Sequence, residues 1–145
     1  MSLILNQCIE YSDDRKEFVA SENGKTFRLD NNSGAIVRKV KVDKCIVQKV
    51  GEGRCDYLMN IDDKKIVYFI ELKGGDLRKA LKQISDTIEY LKSEFTNFIF
   101  EARIVGSGNV PKLKTITAYK SLAKLVLPTN GKIIYRTNKF HTESI

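Results

Sequence analysis

With 145 residues, 42% of them apolar and 30% charged, the chain has the size and balance of one folded domain, which excludes wholesale disorder. Its longest apolar run, Ile66 to Ile70, is far below the roughly 20 residues that span a bilayer, and the opening MSLILNQCIEY lacks the basic flank of a secretory signal, so a cytoplasmic protein with no membrane partner is expected. The net charge is +7, and residues 102–145 alone supply that surplus, which points to a polyanionic partner, nucleic acid before anionic membrane.

In chain order, Phe18 to Asp30 carries Asn23-Gly24 between two β-prone runs and predicts a hairpin. Asn31 to Gly34 is a turn, and Ala35 to Val50 reads as one or two strands. Cys55 to Ile61 and Ile66 to Lys73 are strands joined around Asp62 to Lys65. The period then changes: Leu77, Ala80, Leu81, Ile84, Ile88 and Leu91 predict an amphipathic helix from Asp76 to about Glu94, with Asp76 as its N-cap. Asn97 to Val105 returns to a strand. Pro111 opens a second helix marked by Leu113, Ile116, Leu122, Ala123 and Val126 and closed by Pro128 and Asn130-Gly131. Lys132 to Thr137 is the expected last strand, followed by a frayed tail.

This order predicts an α/β (α+β) protein, a mixed central sheet flanked by helices. It divides into a strand-rich N-terminal extension (1–34), a core (35–105) and a basic C-terminal helix and strand (106–145) of one domain. Cys8, Cys45 and Cys55 form no CxxC pair, and their odd number argues against a disulfide framework; Cys45 and Cys55 are expected to be small core residues. His141 is the only histidine, which excludes imidazole-based triads and most zinc sites, and it reads as an incidental tail residue. The Gly51-Glu52-Gly53 and Gly106-Ser107-Gly108 segments read as turns.

The chemistry concentrates at the end of the apolar strand. Glu71 and Lys73 are two apart and point to one face. A hairpin with an even loop centred between Asp63 and Lys64 pairs residues whose numbers sum to 127, which sets Asp56 opposite Glu71. Side chains so paired stand ~5 Å apart, and two carboxylates there repel. A divalent cation held by hard oxygen donors, Mg²⁺ above all, turns that repulsion into ligation. The plainer alternative has Lys73 neutralising Glu71, and Asp56 exposed at a strand start. Of the nine glutamates, however, only Glu71 has lysine two positions on.

Asp56, fourteen further residues and then Glu71-Leu72-Lys73, with a helix following, resemble the PD-(D/E)XK nuclease superfamily over roughly Ala35 to Val105. The resemblance implies a restriction-endonuclease-like fold of order α-β-β-β-α-β. It also implies Mg²⁺ (or Mn²⁺) held by Asp56, Glu71 and the Leu72 carbonyl, with Lys73 orienting or deprotonating the attacking water. Gln83, first of a Gln83, Thr87 and Tyr90 stripe on the helix, matches a glutamine that assists the site in several branches. The superfamily usually adds an acid from an N-terminal helix, for which Glu10 and Glu17 are the candidates.

Arg54, Arg78 and Lys82 flank the expected site as phosphate contacts, and Lys112, Lys114 and Lys120 represent the basic C-terminal third. The function expected is a Mg²⁺-dependent nuclease acting on DNA, and pairing into a homodimer is compatible with it. The alternative is the same fold as a catalytically silent module for protein or nucleic-acid binding, such as a toxin-neutralising or assembly protein. A peripheral membrane protein held by its basic face ranks last, because no amphipathic helix carries bulky exposed aromatics.

Overall fold

The structure is a computed structural model that describes residues 3–46, 48–108 and 112–145, without the side chains at 3, 4, 73 and 74. Nine strands and three helices are formed by the described residues. They begin with α1 (Leu3–Gln7), β1 (Ile9–Asp13), β2 (Glu17–Glu22), β3 (Lys25–Asp30) and β4 (Val37–Lys41). The strand-rich reading of the N-terminus therefore missed a short helix, whose Leu5 enters the core. The β2–β3 hairpin turns at Asn23-Gly24, and φ is positive at both residues (54° and 72°), the geometry that two-residue hairpin loops demand.

The expected strands from Ala35 to Val50 contract to β4 alone. After Val42 the chain folds into a turn in which the Cys45 and Ile46 N–H groups both donate to the Val42 carbonyl. Cys45 there forms a disulfide with Cys8, Cα to Cα 5.9 Å. This overturns both the expectation of no disulfide and the placing of Cys45 in the core, since Cys45 is exposed. The 37-residue separation hides the bridge from the sequence; antiparallel pairing of β1 with β4 brings the two cysteines together. Cys55, fully buried, is the core residue expected.

β5 (Tyr57–Ile61) and β6 (Ile66–Gly74) pair as Tyr57 with Ile70, Leu58 with Phe69 and Ile61 with Ile66, the register derived from the loop centre. A short 3₁₀ turn, Asp62–Lys64, closes on Lys65 in the left-handed region (φ 51°). α2 (Leu77–Leu91) starts where Asp76 Oδ1 accepts from the Lys79 N–H (3.1 Å), the cap the sequence predicts. β7 (Ile99–Ser107) lies parallel to β6, α3 (Thr117–Val126) follows, and β8 (Ile133–Arg136) lies parallel to β7.

The tail is not frayed. β9 (Phe140–Ser144) joins β3 in parallel, so the small sheet runs β2-β3-β9 while the central mixed sheet runs β1-β4-β5-β6-β7-β8. Glu143 on β9 grips the buried Arg103 of β7, with one contact at 3.0 Å, and His141 adds a bond to the same carboxylate (2.7 Å). His141 is therefore part of this clamp rather than of a loose tail.

Helices cover one face of the central sheet and the small sheet covers the other. Val67 and Phe69 of β6 pack with Leu81, Ile84 and Ile88 of α2. Tyr68, Ile70 and Leu72 pack with Phe18, Phe27 and Leu29 of the small sheet. This double cover explains why β6 is apolar on both faces. Each fully buried Leu or Ile contributes ~1.5–3 kcal/mol, so a charge at Ile84 would break the contact between α2 and the sheet. No helix among the described residues is long and apolar enough to cross a membrane.

Candidate active site

Pairing of β5 with β6 stops at Tyr57 and Ile70, one step short of Asp56 and Glu71. Extending the register would set those two opposite each other, Asp56 standing in the bend just before β5. Phe69 packs into the helix-side core, and strand alternation turns Glu71, two residues on in β6, to that side as well. Both are buried, 8% and 2% exposed. Burial and then the charges of Glu71 and Asp56, relieved in part by Thr87, push the Cys55 thiol up, so both carboxylates bear on one point of the core.

Asp56 is held firmly. Its Oδ2 accepts from the Leu72 N–H (2.8 Å), occupying the edge of β6 where the partner strand has run out. Its own carbonyl accepts from the Val42 N–H (3.0 Å). Burial first, then the charges of Glu22 and Asp43, raise its carboxyl above the ordinary 3.8, against the lowering action of the Leu72 N–H and Lys41. An acid whose folded environment disfavours its ionised form is one that a cation would stabilise.

The segment leading into Asp56 is docked on α2. Gly53 lies so close that a Cβ there would sit 2.9 Å from the Gln83 Cα, and its N–H donates to Asp86 Oδ2 (2.7 Å). The Cys55 N–H donates to Thr87 Oγ1 (2.9 Å), which donates in turn to the Gln83 carbonyl (2.7 Å). Arg54 lies over the Tyr90 ring at 4.2 Å. The Gln83, Thr87 and Tyr90 stripe is thus the rail on which residues 53–55 lie.

The remaining sequence-predicted residues divide clearly. Lys73 continues β6 opposite Gly106, and its side chain lies outside the described residues. The Leu72 carbonyl, expected as a metal oxygen, accepts from Asn23 Nδ2 (3.1 Å), so one of its two lone pairs is engaged. Arg54, expected to meet phosphate, is 1% exposed and paired with Glu52 (2.9 Å), so it holds the loop instead. Arg78 is exposed, while Lys82 binds Asp86 (2.6 Å) and the Gly51 carbonyl (3.2 Å). With Lys79 they line an open groove of about 650 Å³ between α2 and α3, whose other wall includes Thr117 and Ser121. Lys112, Lys114 and Lys120 are exposed around the start of α3.

The two N-terminal acids expected at the site have partners elsewhere. Glu10 pairs with Lys39 (2.8 Å), and Glu17 sits opposite Asp30 at the far end of the β2–β3 hairpin. Glu22 takes the position near Asp56, binding Lys41 (2.6 Å), and the Lys41 ammonium lies 4.4 Å from the Tyr57 ring centre. Sequence reasoning missed Glu22, Asn23 and Lys41. The one available signal was the Asn23-Gly24 turn, which fixes the hairpin tip but not what the tip touches.

Two carboxylates and a peptide carbonyl are hard oxygen donors that suit Mg²⁺, which commonly takes one or two protein carboxylates and completes its shell with water and substrate phosphate. Among the described residues no group of three or more His, Cys, Asp or Glu side chains could enclose a metal ion. Comparison with known proteins returns no match to a family model, to a curated protein or to a solved structure.

Proposed function

We propose that the protein is a Mg²⁺-dependent nuclease, with DNA the favoured substrate and Asp56, Glu71 and Lys73 as its catalytic core. The observation that carries the reading is the pair of buried carboxylates at the end of the β5–β6 hairpin, one step beyond its last paired residues. The strand and helix order lends support: the antiparallel meander β4-β5-β6, then α2, then β7 parallel to β6, with α1 upstream, agrees with the restriction-endonuclease-like plan of the PD-(D/E)XK superfamily.

Mg²⁺ at this site would supply Lewis acidity and a template for water and phosphate. Asp56 and Glu71 would hold it, and the Leu72 carbonyl has a second lone pair to offer. Lys73, two positions after Glu71 in the sequence, is the residue proposed to stabilise charge on the phosphoryl group or to take a proton from water. Gln83 and the 53–55 segment hold the Asp56 side of the site in register.

Arg78 and Lys82, at the start of α2, and Lys112, Lys114 and Lys120, after β7, all follow the C-terminal ends of the parallel strands β6 and β7. That edge also carries Glu71, so the basic groups and the carboxylates serve one phosphate track. Such contacts hold the backbone with little sequence preference.

The test is cleavage of labelled single-stranded, duplex and branched DNA, and of RNA, with and without Mg²⁺. Wild type should cut, while Glu71→Ala and Lys73→Ala should bind nucleic acid and not cut. Equal cleavage by all three would refute the assignment. A second reading, a silent binding module of the same fold, is favoured by the lack of a three-group metal cluster among the described residues. Nucleic-acid binding without any Mg²⁺ or Mn²⁺ binding at millimolar concentration would select it.

A further inference from the structure

In an extended strand the N–H and C=O of one residue point the same way. For Leu72 both point toward β5, beyond the last β5–β6 pair. Two orphaned backbone groups at a buried strand end need partners, and two side chains provide them. Asp56 Oδ2 takes the N–H (2.8 Å), and Asn23 Nδ2 donates to the carbonyl (3.1 Å). Asn23 reaches this carbonyl from 49 positions upstream, at the tip of a hairpin in the other sheet. Its neighbour Glu22 binds Lys41 (2.6 Å), and both charges bear on Asp56. The hairpin tip thus meets the site directly at the Leu72 carbonyl of β6 and, through the Glu22–Lys41 pair with β4, electrostatically at Asp56.

We propose that the tip of the β2–β3 hairpin is a working part of the cation site, with Asn23 as the positioning residue that fixes the Leu72 carbonyl and the Glu71–Lys73 backbone on either side of it. This rests on reading Asp56 and Glu71 as cation ligands. Without the Asn23 amide the Asp56 contact and the pairing with β7 remain, but the Leu72 carbonyl loses its donor and the strand end sets Glu71 less firmly against Asp56. The fold gives a reason for asparagine here, since it tolerates the left-handed turn (φ 54°) and carries a donor of the right length.

Asn23→Gly keeps the turn conformation and removes only the amide. Isothermal titration with Mn²⁺ should give a dissociation constant about fivefold weaker than wild type, the effect of one neutral hydrogen bond. Asn130→Gly, a matched change at another left-handed asparagine (φ 70°) beyond α3, should bind Mn²⁺ as wild type does. Unchanged Mn²⁺ affinity in Asn23→Gly, with binding intact in wild type, overturns the role of Asn23 alone. Absence of Mn²⁺ binding in wild type overturns the cation reading as well. Should Asn23→Gly not fold, Mg²⁺ titration of ¹⁵N-labelled wild type decides: the Asn23 side-chain amide should shift together with the Leu72 backbone amide, and an unmoved Asn23 signal rejects the proposal.

Discussion

Asp56→Asn separates a strained carboxylate pair from an ordinary one. Directly opposite side chains on paired strands stand ~5 Å apart, and two unit charges at that distance repel by about 3 kcal/mol at an effective dielectric near 20. The asparagine oxygen can still accept from the Leu72 N–H, with a loss of about 1 kcal/mol because a neutral acceptor is weaker than a charged one. Part of the remaining gain is cancelled because Lys41 loses an attractive neighbour. The net expectation is a metal-free variant more stable than wild type by about 1 kcal/mol, a rise in Tm of ~3 °C for a chain of this size.

Metal reverses the order. Mn²⁺ at ten times its dissociation constant stabilises the native state by about 1.4 kcal/mol, enough to bring wild type level with or above the variant, which should not respond. Thermal unfolding at neutral pH, with and without Mn²⁺, reads both effects. The pH dependence has a definite sign. Because burial and the neighbouring acids raise the Asp56 carboxyl above 3.8, the folded state holds that proton more tightly than the unfolded chain. Its cost is therefore present in full at neutral pH and relieved as pH falls through the raised value, a relief that Asp56→Asn should lack. A variant less stable than wild type without metal, and shifting equally with Mn²⁺, would refute the reasoning.

Other perturbations test the frame around the site. Glu143→Ala leaves Arg103 buried without its carboxylate partner on β9 and should cost about 3 kcal/mol in urea unfolding. Burial opposes ionisation of Glu143, but Arg103 and then His141 outweigh it and hold the carboxyl below 4.5. The stability from this clamp is present above 4.5 and lost as pH falls through the lowered value, so the variant should lose part of the acid-unfolding transition. Reducing the Cys8–Cys45 bridge, which closes a 37-residue separation, should remove about 4 kcal/mol and lower Tm by ~10 °C; thiol titration should find no reactive thiol in the native protein and one, Cys55, after unfolding. Replacing Lys112, Lys114 and Lys120 together by alanine should flatten the salt dependence of duplex binding by about 0.9 in log–log slope for each phosphate no longer neutralised. An unchanged slope would move the phosphate track away from the start of α3.

Local pattern carried much of this architecture into the sequence. The alternation and length of Ile66 to Lys73, the symmetry of its turn and the helical spacing from Leu77 to Leu91 were enough to set the β5–β6 register and to place α2 behind it. These depend on contacts between near neighbours. What escaped depends on approach between distant segments. The bridge from Cys8 to Cys45 and the docking of β9 on β3 leave no periodic signal, and the C-terminal strand looks like a polar tail until Arg103 is seen to need Glu143.

The same distinction divides the site. The burial of Asp56 and Glu71 at the end of one hairpin was legible because the symmetry of its turn sets the β5–β6 register. Arg54 was misread because its charge suggests the surface, whereas Glu52 and the Tyr90 ring compensate it in the interior. Glu22 and Asn23 were invisible because residues at a hairpin tip look alike whether they meet solvent or a strand end, and Lys41, at the end of β4, because its partner Glu22 is distant in sequence. The disulfide also weighs against the cytoplasmic location expected, since such bridges persist in oxidising surroundings.

The most direct test of the central claim is an anomalous difference map from crystals of the wild-type protein soaked in Mn²⁺. A peak between the side-chain oxygens of Asp56 and Glu71, lost in Glu71→Gln crystals, is the predicted result. A map with no peak between those carboxylates at saturating Mn²⁺, or one with their oxygens turned to opposite faces of the sheet, would contradict the account.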